Sequence, residues 1–116
     1  MINLDYLSAK YGQRIGVIDG AENIATSALN VLHAQGIYAM FLWLKEKQGR
    51  CNVISKLTDL FHDDDSPIPL DNQKNFNNLE NVRECLTENL KTMFLAKELI
   101  ALTLTYARHT AKVQNN

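Results

Sequence analysis

A chain of 116 residues, 46% hydrophobic and 22% charged, is long enough for one hydrophobic core and too short for two, and its composition lies far from that of disordered or collagen-like chains. A formal net charge of −1 gives it no overall field to draw it onto nucleic acid or acidic membrane. The charges are uneven: six basic residues face four acidic ones in 1–58, two face eight in 59–88, and four face one in 89–116, so an acidic middle separates two mildly basic ends. That distribution suits head-to-tail contact between copies or a local basic face.

Cys51 and Cys85 stand singly, with no Cys-x-x-Cys pair, and the opening MINLDYLSAK lacks the basic-then-apolar order of a secretion signal. The longest apolar stretch, Ile37–Leu44, is far too short to span a bilayer. A single domain over 1–116, cytoplasmic, with reduced thiols and no membrane contact, is the expectation.

The first predicted element is a helix over about Leu4 to Ile18, with Leu4, Leu7, Tyr11, Ile15 and Ile18 on one side. Gly12 and Gly16 each weaken it by about 1 kcal/mol relative to Ala, and RIGVID reads locally as a strand, but no second strand exists to pair with it. Asp19-Gly20 is a break. From Ala21 the chain runs to Lys47 without proline and keeps helical spacing throughout. Gly36 either bends this segment or lets another backbone come close, and Gln48-Gly49 supplies a stop. Met40, Phe41, Trp43 and Leu44 fill nearly the whole circumference after Gly36, so this helix must be covered on most sides by its own domain or by a neighbour.

A short helix follows over Asn52 to Phe61, with Val53, Ile54, Leu57, Leu60 and Phe61 on one side. The stretch from Asp63 to Asn78 holds both prolines, Pro67 and Pro69, with a run of Asp, Asn and Ser. It is expected to be a flexible acidic loop with few residues able to bury themselves. Asn77 or Asn78 caps the next helix, in which Leu79, Val82 and Leu86 face inward, and a bend is expected near Thr87–Asn89. The last helix covers about Leu90 to Val113. At about 100° per residue, Leu95, Leu99, Ile100, Leu102, Leu104, Tyr106, Ala107 and Val113 share an arc of about 200° that should face the core. The opposite arc holds Lys91, Lys97, Arg108, His109 and Lys112, a basic side interrupted chiefly by Glu98, Phe94 and Ala101. The expected fold is all-α, a compact bundle of about five helices with one acidic, Pro-containing loop.

Motifs for catalysis are missing. His33, His62 and His109 have no His or Cys three or four residues away, Asp63-Asp64-Asp65 lacks the alternation, central glycine and distal Glu of a calcium loop, and no phosphate-cradling glycine motif or nucleophile elbow occurs. Neither a catalytic residue, a metal ligand set nor a cofactor is expected. Lys91, Lys97, Arg108 and Lys112 form the one candidate functional surface, read either as a solvated helix face or as a contact to nucleic-acid phosphates that is salt-sensitive and indifferent to sequence. Tyr38, Phe41 and Trp43 on the apolar helix are the candidate protein-interaction residues.

Two segments, AQGIYAMFLWLKEK (Ala34–Lys47) and FLAKELIALTLTYARHTAKV (Phe94–Val113), resemble the small-subunit family of the type III-B CRISPR effector, the fifth protein of the Cmr complex. The resemblance implies a non-catalytic helical bundle, stacking as a minor filament and contacting other effector subunits, copies of itself, and guide and target RNA. It carries the family's basic contacts onto Lys45, Lys47, Lys97, Arg108 and Lys112. The alternative reading is a free-standing helical adaptor or regulator that homodimerises through the same apolar helix and binds protein. A helix-turn-helix DNA binder fits less well, because no short turn leads into a compact polar recognition helix.

Overall fold

Leu7, Tyr11 and Ile15 recur at helical spacing and all three are buried in the computed structural model, which describes residues 4–114 apart from 69 and 72. Of the two loop prolines, Pro69 thus lies outside the described residues. The helix these side chains define is α1 (Leu4–Gly16), followed by α2 (Ala21–Gln35), α3 (Ile37–Lys45), α4 (Cys51–His62), the short α5 (Leu79–Val82) and α6 (Leu90–Gln114). A 3₁₀ turn at Gln48–Arg50 leads into α4, and a π-helical turn at Arg83–Thr87 extends α5. No strand occurs among the described residues, so RIGVID ends a helix. Among the described residues the all-α bundle has six α-helices rather than about five, because the segment from Ala21 to Lys47 is two.

The break falls at Gly36, whose φ of 100° and ψ of −177° lie in a region that side-chain-bearing residues rarely adopt. Nothing approaches the position a Cβ would take there. Of the two roles the sequence left open, Gly36 therefore turns the chain and admits no neighbouring backbone. Gly20, at φ 74°, makes the turn before α2.

Gly12 and Gly16 serve a different end. A Cβ at Gly12 would stand 2.6 Å from the Tyr106 Cβ and 2.8 Å from the Thr103 carbonyl oxygen, and one at Gly16 would stand 2.6 Å from the Thr110 Cβ and 2.9 Å from the Ala107 oxygen. Both glycines let α1 lie backbone-close on α6. Ser8, one turn earlier on the same side, is fully buried, and its hydroxyl has no hydrogen-bond partner among the described residues. Such close approach leaves little room on α6. The residues buried there are Ala96, Leu99, Ile100, Thr103, Leu104, Ala107 and Ala111, while Leu95, Leu102 and Tyr106 are only half-buried and Val113 is exposed. The expected core arc is thus right in direction but lined at its centre by small side chains, with several large ones pushed to its rim.

α6 is backed by α1 and α2, and on their far side lie α3 and α4, which also touch each other. With 25 residues α6 runs roughly 37 Å, close to the 40 Å longest dimension of the molecule. α5 and the π turn close the end between α3 and α6. The α5 start is capped as expected, the Asn78 side-chain oxygen accepting from the Glu80 N–H at 3.1 Å. Asn89 caps α6 in the same way through the Thr92 N–H.

The acidic segment buries more than its composition suggests. Ile68, Leu70 and Phe76 are all buried, and the Phe76 ring sits 5.2 Å from Phe41 and 5.3 Å from Phe61, centroid to centroid. Its backbone N–H donates to the Thr58 hydroxyl, and His62 Nε2 lies 2.8 Å from the Lys74 carbonyl and 3.1 Å from that of Asp71. The expectation that few residues here bury themselves is corrected: three apolar side chains among many polar ones suffice to lay the segment over the α3–α4 floor. At its start, Asp63 accepts from Tyr11 Oη at 2.7 Å and from Lys10 Nζ at 3.1 Å, fixing the end of α4 to α1.

Two predictions follow from this packing. Ala at Gly12 or Gly16 adds about 1 kcal/mol of helix propensity but must displace backbone atoms of α6, a clash of about 1–3 kcal/mol, so both variants should show a net loss of stability in urea melts. Equal or higher midpoints would contradict the close approach. The second concerns pH. The Asp65 backbone N–H, then the Tyr11 hydroxyl and the Lys10 ammonium, hold the Asp63 carboxyl below its ordinary value of 3.8. A lowered folded value means the contribution is complete above the ordinary value and is lost as pH falls through the folded one. Asp63→Asn should therefore flatten the acid limb of stability against pH below about pH 4. Burial, with donation to Asp63, pushes Tyr11 up to about 12, so its contribution fades only as pH rises from its ordinary value of 10.0 through that range.

Candidate functional site

Helical geometry places Lys97, Arg108 and Lys112 within an arc of about 60° on α6, along the flank that adjoins its buried side at Leu104 and Ala111. Lys112 is exposed, Lys97 and Arg108 are half-buried, and none of the three has a carboxylate within ion-pair distance among the described residues. A half-buried Lys or Arg commonly lays its stem along apolar surface. The Arg108 Nε is occluded from solvent and has no hydrogen-bond acceptor among the described residues. Lys91 is exposed in the first turn but stands about 120° round from Lys97, on the flank shared with Glu98. Two apolar residues stand among these cations: Phe94, which the sequence already sets on the basic side as an interruption of it, and Leu90, which it does not single out. Leu90 and Phe94, one turn apart on the same side, are 65% and 61% exposed.

Lys45 and Lys47 belong to another region. Both are exposed, at the end of α3 and just beyond it, where cations oppose the negative end of the helix dipole favourably. The helix that carries them packs against α2, α4 and α5. Two sets of cations result, one along α6 and one at the tip of α3.

The three apolar candidates on α3 divide. Phe41 is corrected from an interaction residue to a core residue: it is 0% exposed, because Phe76 reaches back from the acidic segment to cover it. Tyr38 is 39% exposed, and Leu42, one turn further on, is 42% exposed. Together they form a strip that includes a residue the sequence reading did not single out. The missing signal was the spacing itself, since Tyr38 and Leu42 share a side that Ile37, Met40, Phe41 and Leu44 do not. Beside the strip a shallow groove between α2 and α3 is lined by Val31, Gln35, Ala39 and Trp43.

Trp43 is half-buried beneath Arg50, whose guanidinium lies 3.6 Å from the ring centroid. Arg50 Nη1 also donates to the Trp43 carbonyl oxygen at 3.0 Å and pairs with Glu46 at 3.6 Å. This arginine thus caps the last turn of α3 and is spent within the chain. Removing it should uncover the single tryptophan. Arg50→Ala is expected to shift tryptophan emission to the red, raise its quenching by acrylamide and cost about 1 kcal/mol, with helix content unchanged. An unaltered spectrum would contradict the stack.

His33 and His109 are exposed and His62 is occupied by two backbone carbonyls; no group of three His, Cys, Asp or Glu side chains among the described residues is placed to hold a metal ion. Glu80 pairs with Arg83 and Asp63 with Lys10, while the depression beside Lys74, Arg83, Glu84 and Glu88 is open and mixes both signs of charge. No helix among the described residues is long and apolar enough to cross a membrane. Compared with protein-family models, curated proteins and solved structures, the chain finds no match.

Proposed function

We propose that this chain is a non-catalytic, cytoplasmic small subunit of a type III-B CRISPR ribonucleoprotein, one that offers its α6 cations to the guide and target RNA backbone and stacks with copies of itself and with other subunits. The observation that carries this reading is the set Lys97, Arg108 and Lys112, three cations without acidic partners among the described residues, spread over about 22 Å of one helix side. Isolated solvated lysines need no such alignment, whereas a polyanion running along α6 meets all three. The likeness of Ala34–Lys47 and Phe94–Val113 to the small-subunit family supports the same reading, and the cations at Lys45 and Lys47 provide a second contact point in a stacked array.

The exposed Tyr38–Leu42 strip supplies an apolar edge for a neighbouring subunit. It also favours a second reading, a free-standing helical adaptor that pairs through α3. Native mass spectrometry of the protein drawn from its source cells separates them, since guide RNA and backbone subunits accompany it in the first reading and a lone homodimer appears in the second.

Three phosphate contacts on a single strand give a slope of about −2 in log affinity against log salt. The triple variant Lys97→Glu, Arg108→Glu, Lys112→Glu should abolish most of that slope and bind RNA far more weakly at low salt, with its helical circular dichroism retained. Wild-type affinity in the variant would remove α6 from the interface.

A further inference from the structure

Phe94 and Leu90 lie exposed within the basic side of α6, and the geometry points to Phe94 as a stacking platform for a base of single-stranded RNA whose phosphates are held by Lys97, Arg108 and Lys112. This rests on the proposed role of α6 in contacting RNA and goes beyond backbone contact. From Lys97, Phe94 stands about 60° round the helix and Leu90 about 20°, the arc that also holds Arg108 and Lys112. An exposed ring one turn from the nearest of these cations supplies both halves of a single-strand site, a flat apolar face for a base and positive charge for the chain that bears it.

Two other occupants fit less well. A second protein would need to bury about 800 Å² on each side around an apolar centre for a stable pair, and two apolar side chains ringed by Lys91 and Lys97 make a poor centre for one. Duplex RNA would meet the cations but leave the ring idle, because paired bases are stacked on one another and offer no free face. Charge complementarity together with the exposed ring therefore selects an unpaired strand. Two other cations near aromatic rings are already engaged: Arg50 lies over Trp43, and Lys10 is held by Asp63.

The test uses the intact protein with a labelled single-stranded RNA and a duplex of the same length, titrated at several salt concentrations. Phe94→Leu and Phe94→Ala should weaken single-strand binding about tenfold while leaving the salt slope and duplex binding unchanged. Phe94→Tyr, which keeps the ring, should bind as wild type. Single-strand affinity that survives Phe94→Leu but falls with Lys97→Glu overturns the stacking role and leaves backbone contact standing. Equal weakening of single strand and duplex by Phe94→Leu overturns it as well, since a lost base contact cannot affect paired bases. Sedimentation of the same variants provides the last arm, and loss of self-association without loss of RNA binding would assign the patch to a second copy and overturn the inference. Failure of the wild-type protein to bind either RNA at low salt removes the α6 reading and this inference together.

Discussion

The approach of α1 to α6 is the constraint on which the rest of the molecule depends. Two glycines four residues apart bring the helices together so closely that a single added carbon at either would meet the other helix at 2.6 Å. Dispersion falls off steeply with distance, so backbone contact of this kind recovers packing that long side chains would otherwise provide. The arrangement also decides what α6 can present elsewhere. Its inward centre takes Ala96, Thr103, Ala107 and Ala111, and larger apolar groups such as Leu95 and Leu102 move to the flanks. With α6 gripped along one side, the rest of its circumference is left for charge and for the exposed pair Leu90 and Phe94. One unsatisfied group accompanies the contact, the buried Ser8 hydroxyl, whose loss of hydration costs about 1–3 kcal/mol that the surrounding burial must offset.

Around that contact the remaining elements act as covers. α2 completes the inner side of α6, while α3 and α4 form a floor closed by residues from the acidic segment. The aromatic group Phe41, Phe61 and Phe76 joins three separate stretches of chain, with ring separations of 5.2 and 5.3 Å in tilted and edge-on arrangements that suit the ring quadrupoles. Polar groups at the edge of this group are paired: Thr58 receives the Phe76 N–H and donates to the Ile54 carbonyl, and His62 meets two carbonyls of the covering segment. The segment is acidic on its outside and apolar where it counts for the core.

Much of this was legible in the sequence because it depends only on spacing. Val53, Ile54, Leu57, Leu60 and Phe61 repeat as one helical side and all are buried; the break at Asp19-Gly20, the cap at Asn78 and the bend before α6 follow from local chemistry in the same way. What spacing cannot convey is which partner covers an apolar side and how near it comes. Phe41 therefore read as available to partners, since the ring that covers it, Phe76, is a lone aromatic amid asparagines with no periodic pattern around it. The small centre of the α6 core side was hidden for a related reason, because apolarity marks large residues as core whereas proximity to a glycine-bearing helix selects small ones. Among the candidate site residues, the alignment of Lys97, Arg108 and Lys112 could be read from helical geometry. The same geometry set Phe94 among them, but not how far its ring stands exposed, because a phenylalanine on a helix is inward far more often than outward.

The pairing of the first described helix with the last has a consequence for how the protein is made. During synthesis α1 emerges early, yet the surface it needs, the small-residue side of α6, is translated after everything else described. Until then Leu7, Tyr11, Ile15 and the bare glycine stripe have α4 and a small contact with α2 to lean on, and Phe41 and Phe61 wait for Phe76. Few cooperative units can close before the ribosome has delivered the final helix, so the nascent chain carries uncovered apolar surface for most of its translation. Shielding of that surface until α6 emerges matters more for such a chain than for one whose neighbours in space are neighbours in order.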